Sequence, residues 1–279
     1  MGFERQSGFL VLAFFCAGCG LTLPAAAQAP ETHAKVELIA DPESRVSKGT
    51  VWVGLQFSLD PGWHIYWRNS GDSGEPPVVR WTLPAGAKAG PLEWPTPVRL
   101  GSGSIVDYGY ENEVLLMKPI EIEKGASASS LPIAGDVKYI VCREICIPGK
   151  AHVEVEAGTD NALPPAKTAE WAAKFRKARE ELPKRLPAGW SCSARQWETG
   201  INLRVSGASA VRNAIFFPDE PGVIENSASQ KYVASGSGFE LRLTKSQQLL
   251  DRATKLQGVL VVESLDGTRH SYRVAMPVH

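Results

Sequence analysis

Val51-Trp52-Val53-Gly54-Leu55-Gln56-Phe57-Ser58-Leu59 alternates with period two and stops at Asp60-Pro61-Gly62. Such alternation puts Val51, Val53, Leu55, Phe57 and Leu59 on one face of a strand. Pro-Gly is a turn signal, and Trp63-His64-Ile65-Tyr66-Trp67 then reads as the next strand.

On either side the β pattern continues from Lys35 to Glu156. Val79–Leu83, Val114–Met117, Val137–Val141 and His152–Val155 follow, separated by Gly, Pro and Ser. Many short strands at this spacing indicate an antiparallel sandwich. One helix comes next, over Thr168–Leu182, between Pro164-Pro165 and Pro183. Trp171, Phe175, Ala178 and Leu182 recur at i, i+4, i+7 and i+11, so they share a face that needs a surface to pack on. After Pro187 the β pattern resumes in Ile201–Val205, Ala214–Phe217, Phe239–Leu243, Val259–Val262 and Tyr272–Ala275, with Thr244–Leu250 read as a short helical interruption. The expected organisation is a leader over residues 1–29, a β-sandwich over 30–160, a helical linker over 161–187 and a second, smaller β domain over 188–279. The fold class is therefore all-β.

The chain has 279 residues, and its 30 Lys and Arg balance 30 Asp and Glu, so it carries no electrostatic footprint for nucleic acid or an anionic membrane. Its 20 Pro and 26 Gly suit many short strands joined by turns. Arg5 ahead of the apolar run Phe9–Leu23, with Ala27-Gln28-Ala29 after it, has the form of a cleavable signal peptide. Lipid attachment at Cys19 is the other reading, although Cys16 stands where such a motif normally has Leu. The run is too short to span a bilayer comfortably. Periplasmic export is the expected outcome.

Without the leader, Cys142, Cys146 and Cys192 remain. In an oxidising compartment the close pair bridges and Cys192 is left over. Fully extended, residues four apart have Cα atoms about 13 Å apart, whereas a disulfide needs roughly 4.4–6.8 Å. Arg143-Glu144-Ile145 must therefore turn, placing the pair at a strand end or hairpin tip, and Pro148 limits regular pairing just after Cys146. A ring this small adds only about 2 kcal/mol by chain entropy, a thin structural motive in a chain able to build its own core. Arg143, Lys138 and Lys150 favour a thiolate and Glu144 opposes it. Thiol exchange, a structural clamp in a non-catalytic interaction module, and Cu(I) binding by the two sulfurs with His64 or His152 all remain open. No cofactor motif, phosphate loop, nucleophile–base pair or zinc constellation is present, and no small-molecule substrate is implied.

Pro61–Arg68, Asp107-Tyr108-Gly109-Tyr110-Glu111 and Val141–Pro148, in that order, resemble the N-terminal periplasmic domain of the DsbD family of thiol:disulfide interchange proteins. The resemblance is nearest to its suppressor-of-copper-sensitivity (ScsB-type) branch, and Ile215–Asn226 resembles the second periplasmic segment of that branch. It implies an immunoglobulin-like sandwich whose cysteine pair relays electrons to or from thioredoxin-like periplasmic proteins. By position Cys146 is the attacked sulfur and Cys142 its resolving partner. Tyr108, Gly109 and Tyr110 fall in the cap loop that shields the disulfide, while Trp63 and Tyr66 flank the site, with sandwich core as their other reading. Asp107 stands where an aromatic is expected. The membrane electron carrier and thioredoxin-like domain of the family are absent from these residues, so a relay implies that separate proteins supply them.

Overall fold

The computed structural model describes residues 1–2, 32–101, 103–123, 130–158 and 164–279. The leader motifs, with Cys16, Cys19 and Ala27-Gln28-Ala29, lie outside the described residues. In chain order the first ten strands are β1 (Ala34–Ala40), β2 (Thr50–Leu59), β3 (His64–Gly71), β4 (Val78–Thr82), β5 (Ala87–Ala89), β6 (Val98–Leu100), β7 (Asp107–Glu111), β8 (Glu113–Ile122), β9 (Leu131–Cys142) and β10 (Cys146–Ala157). Helix α1 (Pro165–Glu181) follows. The remaining strands are β11 (Lys184–Arg185), β12 (Ser191–Trp197), β13 (Gly200–Ser206), β14 (Val211–Pro218), β15 (Lys231–Ser235), β16 (Gly238–Thr244), β17 (Lys255–Ser264) and β18 (Arg269–Pro277).

The alternating strand β2 sits inside the sheet β1-β2-β8-β5, with Phe57 opposite Val36 and Leu55 opposite Leu116. The second sheet runs β10-β9-β3-β7-β6, with β4 also alongside β9. Val51, Val53, Leu55 and Phe57 from one sheet meet Ile65, Trp67, Tyr139 and Val141 from the other in a common core. Phe57 and Tyr139 touch edge to face, centroids 5.6 Å apart. Two antiparallel sheets closed over one core make the immunoglobulin-like sandwich that the motifs implied.

Val114, Leu115, Leu116 and Met117 are buried without alternation. A strand reads that way when both faces of its sheet are covered, and α1 supplies the second cover by packing on β8. Pro165 opens the helix at a position whose N–H has no intrahelical partner to lose. Trp171, Phe175 and Ala178 are buried, as their spacing requires. Lys177 Nζ lies 2.8 Å from Glu113 Oε1, and Arg179 pairs with Asp41.

The second half repeats the layered plan with sheets β11-β18-β17-β14 and β12-β13-β16-β15 around Leu203, Phe216, Phe239, Leu241 and Leu260. Its pairings are antiparallel except the short parallel contact of β11 with β18 and the isolated parallel bridge of Ala194 with Val278. The halves meet directly. Phe217 and Val259 belong to the first core, and Phe217 lies edge-on to Tyr108 at 5.2 Å. Thr32–His279 is one compact unit.

Two local expectations are corrected. Thr244–Leu250 is not helical: β16 runs to Thr244, Lys245 bridges to Ile224, and Leu249 N closes a turn on Ser246 O. Leu250 is 90% exposed while Leu249 packs on the second core, so the two leucines do not share one buried helical face. Pro148 does not interrupt pairing either, because it lies in register with Ile140. It is tolerated because β10 is a sheet edge, where a missing N–H need not cost a ladder bond.

Candidate redox site

Strands β9 and β10 form a hairpin whose last pair is Cys142 opposite Cys146. Arg143-Glu144-Ile145 turns between them, with Arg143 N donating to Ile145 O at 3.1 Å. The chain folds back until the two Cα atoms are 4.1 Å apart, and the sulfurs are joined as a disulfide. Burial separates the two sulfurs' residues: Cys142 is 3% exposed, whereas Cys146 lies open to solvent beside Ile145, which is 64% exposed.

What lies under Cys142 is set by β9 changing partners. From Ala134 to Lys138 β9 pairs with β4, but at its end Cys142 stands opposite His64 of β3. Paired residues point to the same face of a sheet. His64 and, two positions on, Tyr66 therefore share the face that carries the disulfide. Tyr66 is fully buried, and its hydroxyl donates to Cys142 Sγ at 2.7 Å while lying 3.6 Å from Cys146 Sγ. The same hydroxyl is 3.2 Å from Ser73 Oγ. Ser73 in turn donates to Asp107 through both its hydroxyl (2.8 Å, to Oδ2) and its backbone N–H (2.9 Å, to Oδ1). Gly74 makes this approach possible: it has φ of 62°, and a Cβ there would stand 2.1 Å from the Tyr66 ring.

The electrostatics follow from burial. Desolvation raises the Tyr66 pKa, outweighing the lowering by Ser73, so its hydroxyl keeps its proton and remains a donor. Desolvation lowers the His64 pKa despite Asp107 and Glu111. His64 Nε2 lies 3.9 Å from Asp107 Oδ2 and is without a hydrogen-bond partner among the described residues. A neutral imidazole placed edge-on to Tyr66 at 5.3 Å adds no charge against the sulfurs.

Trp63 supports the tip rather than the sulfurs. The ring of His33 stacks on it at 3.9 Å, and the Arg143 guanidinium lies 5.5 Å from its ring centre. Tyr108 and Tyr110 do not form a shielding loop. They lie on strand β7, where Tyr110 pairs with Ile65 and Gly109 with Tyr66. Both tyrosines therefore point to the face opposite the disulfide, toward the core. Their buried hydroxyls donate to Asn226 Oδ1 (2.9 Å) and Pro95 O (2.7 Å). Gly109 has a packing reason, since a Cβ there would stand 2.0 Å from Ile65 O. Ser73 is the functional candidate that motif reading missed, and Asp107, noticed there only as a departure from the motif, is its partner. The signal lay in Asn69-Ser70-Gly71-Asp72-Ser73-Gly74, a run of turn residues directly after an apolar strand.

Cys192 is half-buried, and burial pushes its thiol up to about 11, which leaves it protonated and unreactive at neutral pH. His152 sits on β10 six residues beyond Cys146, with Nδ1 2.8 Å from Asp136 Oδ1. Among the described residues no group of three or more His, Cys, Asp or Glu could hold a metal ion.

The site is thus a disulfide between one buried and one exposed cysteine, mounted on an immunoglobulin-like sandwich. Residues 34–157 match the family model described as thiol:disulfide interchange protein DsbD, N-terminal, so the resemblance carried by the sequence motifs holds. The fold is that of the N-terminal periplasmic domain of ScsB from Proteus mirabilis: TM-score 0.65 at 20% identity, over 92% of this chain and 96% of that one. The major pilin subunit BcpA of Bacillus cereus aligns at TM-score 0.27 and 8% identity over 88% of this chain and 66% of that chain, a likeness from which nothing is drawn. No curated protein sequence matches. Among the described residues no helix is long and apolar enough to cross a membrane.

Proposed function

We propose that this protein is a periplasmic thiol–disulfide interchange module that relays electrons through Cys142 and Cys146 to or from thioredoxin-like proteins, with a separate membrane protein as carrier. The observation that carries the reading is the asymmetry of the pair: an exposed Cys146 beside a buried Cys142 whose Sγ accepts a hydrogen bond from Tyr66. A partner's thiolate reaches Cys146 Sγ. The new S–S bond forms there, the Cys142–Cys146 bond breaks, and its electron pair leaves on Cys142 Sγ as a thiolate. The Tyr66 hydroxyl points at the atom on which that charge develops. The partner's second thiolate then attacks its own sulfur in the mixed disulfide and releases Cys146 as a thiolate. The partner's two electrons now reside on this pair; the protons its thiols gave up went to solvent, from which the Cys142 and Cys146 thiolates take theirs, and the reverse sequence passes the electrons on. The match of residues 34–157 to a thiol:disulfide interchange family supports the same reading.

The test is trapping in whole cells. Cys142→Ser removes the resolving sulfur, so mixed disulfides accumulate on Cys146, and the captured proteins carry a thioredoxin fold. Cys146→Ser captures nothing. A double-serine variant that reduced a partner protein at the wild-type rate would refute the function.

A further inference from the structure

The turn that carries Ser73 and Gly74 is held from the other half of the molecule. Asn69 is 1% exposed, and its Nδ2 donates to Pro218 O at 2.8 Å and to Glu220 O at 3.3 Å. Asn226, 6% exposed, donates from Nδ2 to Asp72 Oδ1 at 2.8 Å, while its Oδ1 accepts from Tyr108. Asp72 Oδ2 accepts from Val106 N at 2.7 Å, next to Asp107. Arg99 Nη2 donates to Asn226 O at 2.6 Å. The segment Pro218–Asn226 thus grips both ends of the turn whose Ser73 touches the Tyr66 hydroxyl and whose Gly74 packs on the Tyr66 ring. Contacts that served only to glue the halves together have no reason to converge on this turn. Buried amides are retained where each polar atom finds its partner, and here the partners lie on the redox site's own support.

We propose that the second half acts as a clamp on the disulfide's reactivity, with Asn226 a positioning residue that works through Asp72 and Ser73 to hold the Tyr66 hydroxyl on Cys142 Sγ. The inference rests on the exchange reading above. The charged and titratable groups around Cys142 are His64 and Tyr66 on β3, Asp107 and Glu111 on β7, and Arg143 and Glu144 on the tip. The two single changes leave these groups in place but alter the local charge in opposite senses, since Asp72→Asn removes a carboxylate and Asn226→Asp adds one; a shift of the Cys142 midpoint in the same direction in both therefore reports position and not charge.

The pair can be exchanged without loss of a hydrogen bond. In the Asp72→Asn/Asn226→Asp double variant the amide donates where the carboxylate accepted, its oxygen still receives Val106 N–H, and the carboxylate still receives the Tyr108 hydroxyl. Asn226→Asp alone sets carboxylate against carboxylate, and Asp72→Asn alone leaves one amide unable to serve both neighbours. Two quantities are measured in the whole protein: the rate of disulfide reduction by dithiothreitol, and the pH midpoint of iodoacetamide labelling of Cys142 in a Cys146→Ser background. Each single variant is expected to slow reduction about three- to tenfold and to raise the midpoint. The double variant should return both to within about twofold of wild type. Singles that match wild type in both quantities, or a double that fails to recover, overturn the clamp. Should a single variant fail to fold, Ser73→Ala, which leaves the Asp72–Asn226 joint intact, must raise the midpoint, and an unchanged midpoint overturns it. If the wild-type disulfide resists dithiothreitol, the exchange function fails, and the labelling midpoint still decides the clamp.

Discussion

Tyr66→Phe removes one oxygen from a fully buried side chain and leaves the ring that packs on Gly74. That oxygen is the donor 2.7 Å from Cys142 Sγ. A hydrogen bond to a charged group contributes about 1.5–3 kcal/mol, and one pKa unit corresponds to about 1.4 kcal/mol. The Cys142 thiolate should therefore lose about one to two units of stabilisation, moving its thiol pKa upward. In the exchange transition state the leaving sulfur carries about half a thiolate's charge, so attack at Cys146 should slow about three- to tenfold. Because burial keeps Tyr66 protonated, the donor is present throughout the neutral range, and the effect should not fade toward pH 8. The assay is iodoacetamide labelling of Cys142 against pH in a Cys146→Ser background, paired with stopped-flow reduction by dithiothreitol. A midpoint unmoved to within about 0.3 of a unit, with an unchanged rate, would show that the Tyr66 hydroxyl does not stabilise the leaving sulfur.

Three further outcomes follow from the same geometry. Gly74→Ala forces a Cβ into the Tyr66 ring at a backbone φ of 62°, so it should slow reduction at least as much as Tyr66→Phe and also lower the melting temperature; an unchanged rate would show that the ring has another place to go. Phe175→Ala opens a void between α1 and β8 and should cost about 3–5 kcal/mol in urea unfolding, and a loss under about 1 kcal/mol would mean the helix is only loosely docked. His64 has a folded pKa below its unfolded value of 6.5, so as pH falls the unfolded chain takes a proton that the folded chain refuses. Its contribution is fully present above pH 6.5 and is lost on acidification below it. His64→Gln should therefore lose less melting temperature than wild type between pH 7.5 and pH 5, and equal losses would count against this.

The apolar period of Val51–Leu59 made β2 unavoidable, and the spacing of Trp171, Phe175 and Ala178 made α1 equally plain, because burial against a neighbour demands those repeats. The close spacing of Cys142 and Cys146 likewise required a turn, at a strand end or a hairpin tip, since the intervening residues must fold back for the sulfurs to bond. Tyr108 and Tyr110 could not be placed in this way. A two-residue period says that they share a face but not which face, and only the register of β7 on β3 turned them away from the disulfide. The Tyr66–Ser73–Asp107 chain joins three segments through side chains, and no local pattern encodes such a meeting. Sequence by itself therefore determined most of the strands, the helix and a cysteine pair at a turn, all of which depend on neighbours along the chain. Which sulfur is open, which tyrosine touches the other, and that Asn226 holds the turn beneath them were decided by tertiary packing, because each depends on residues brought together from distant strands.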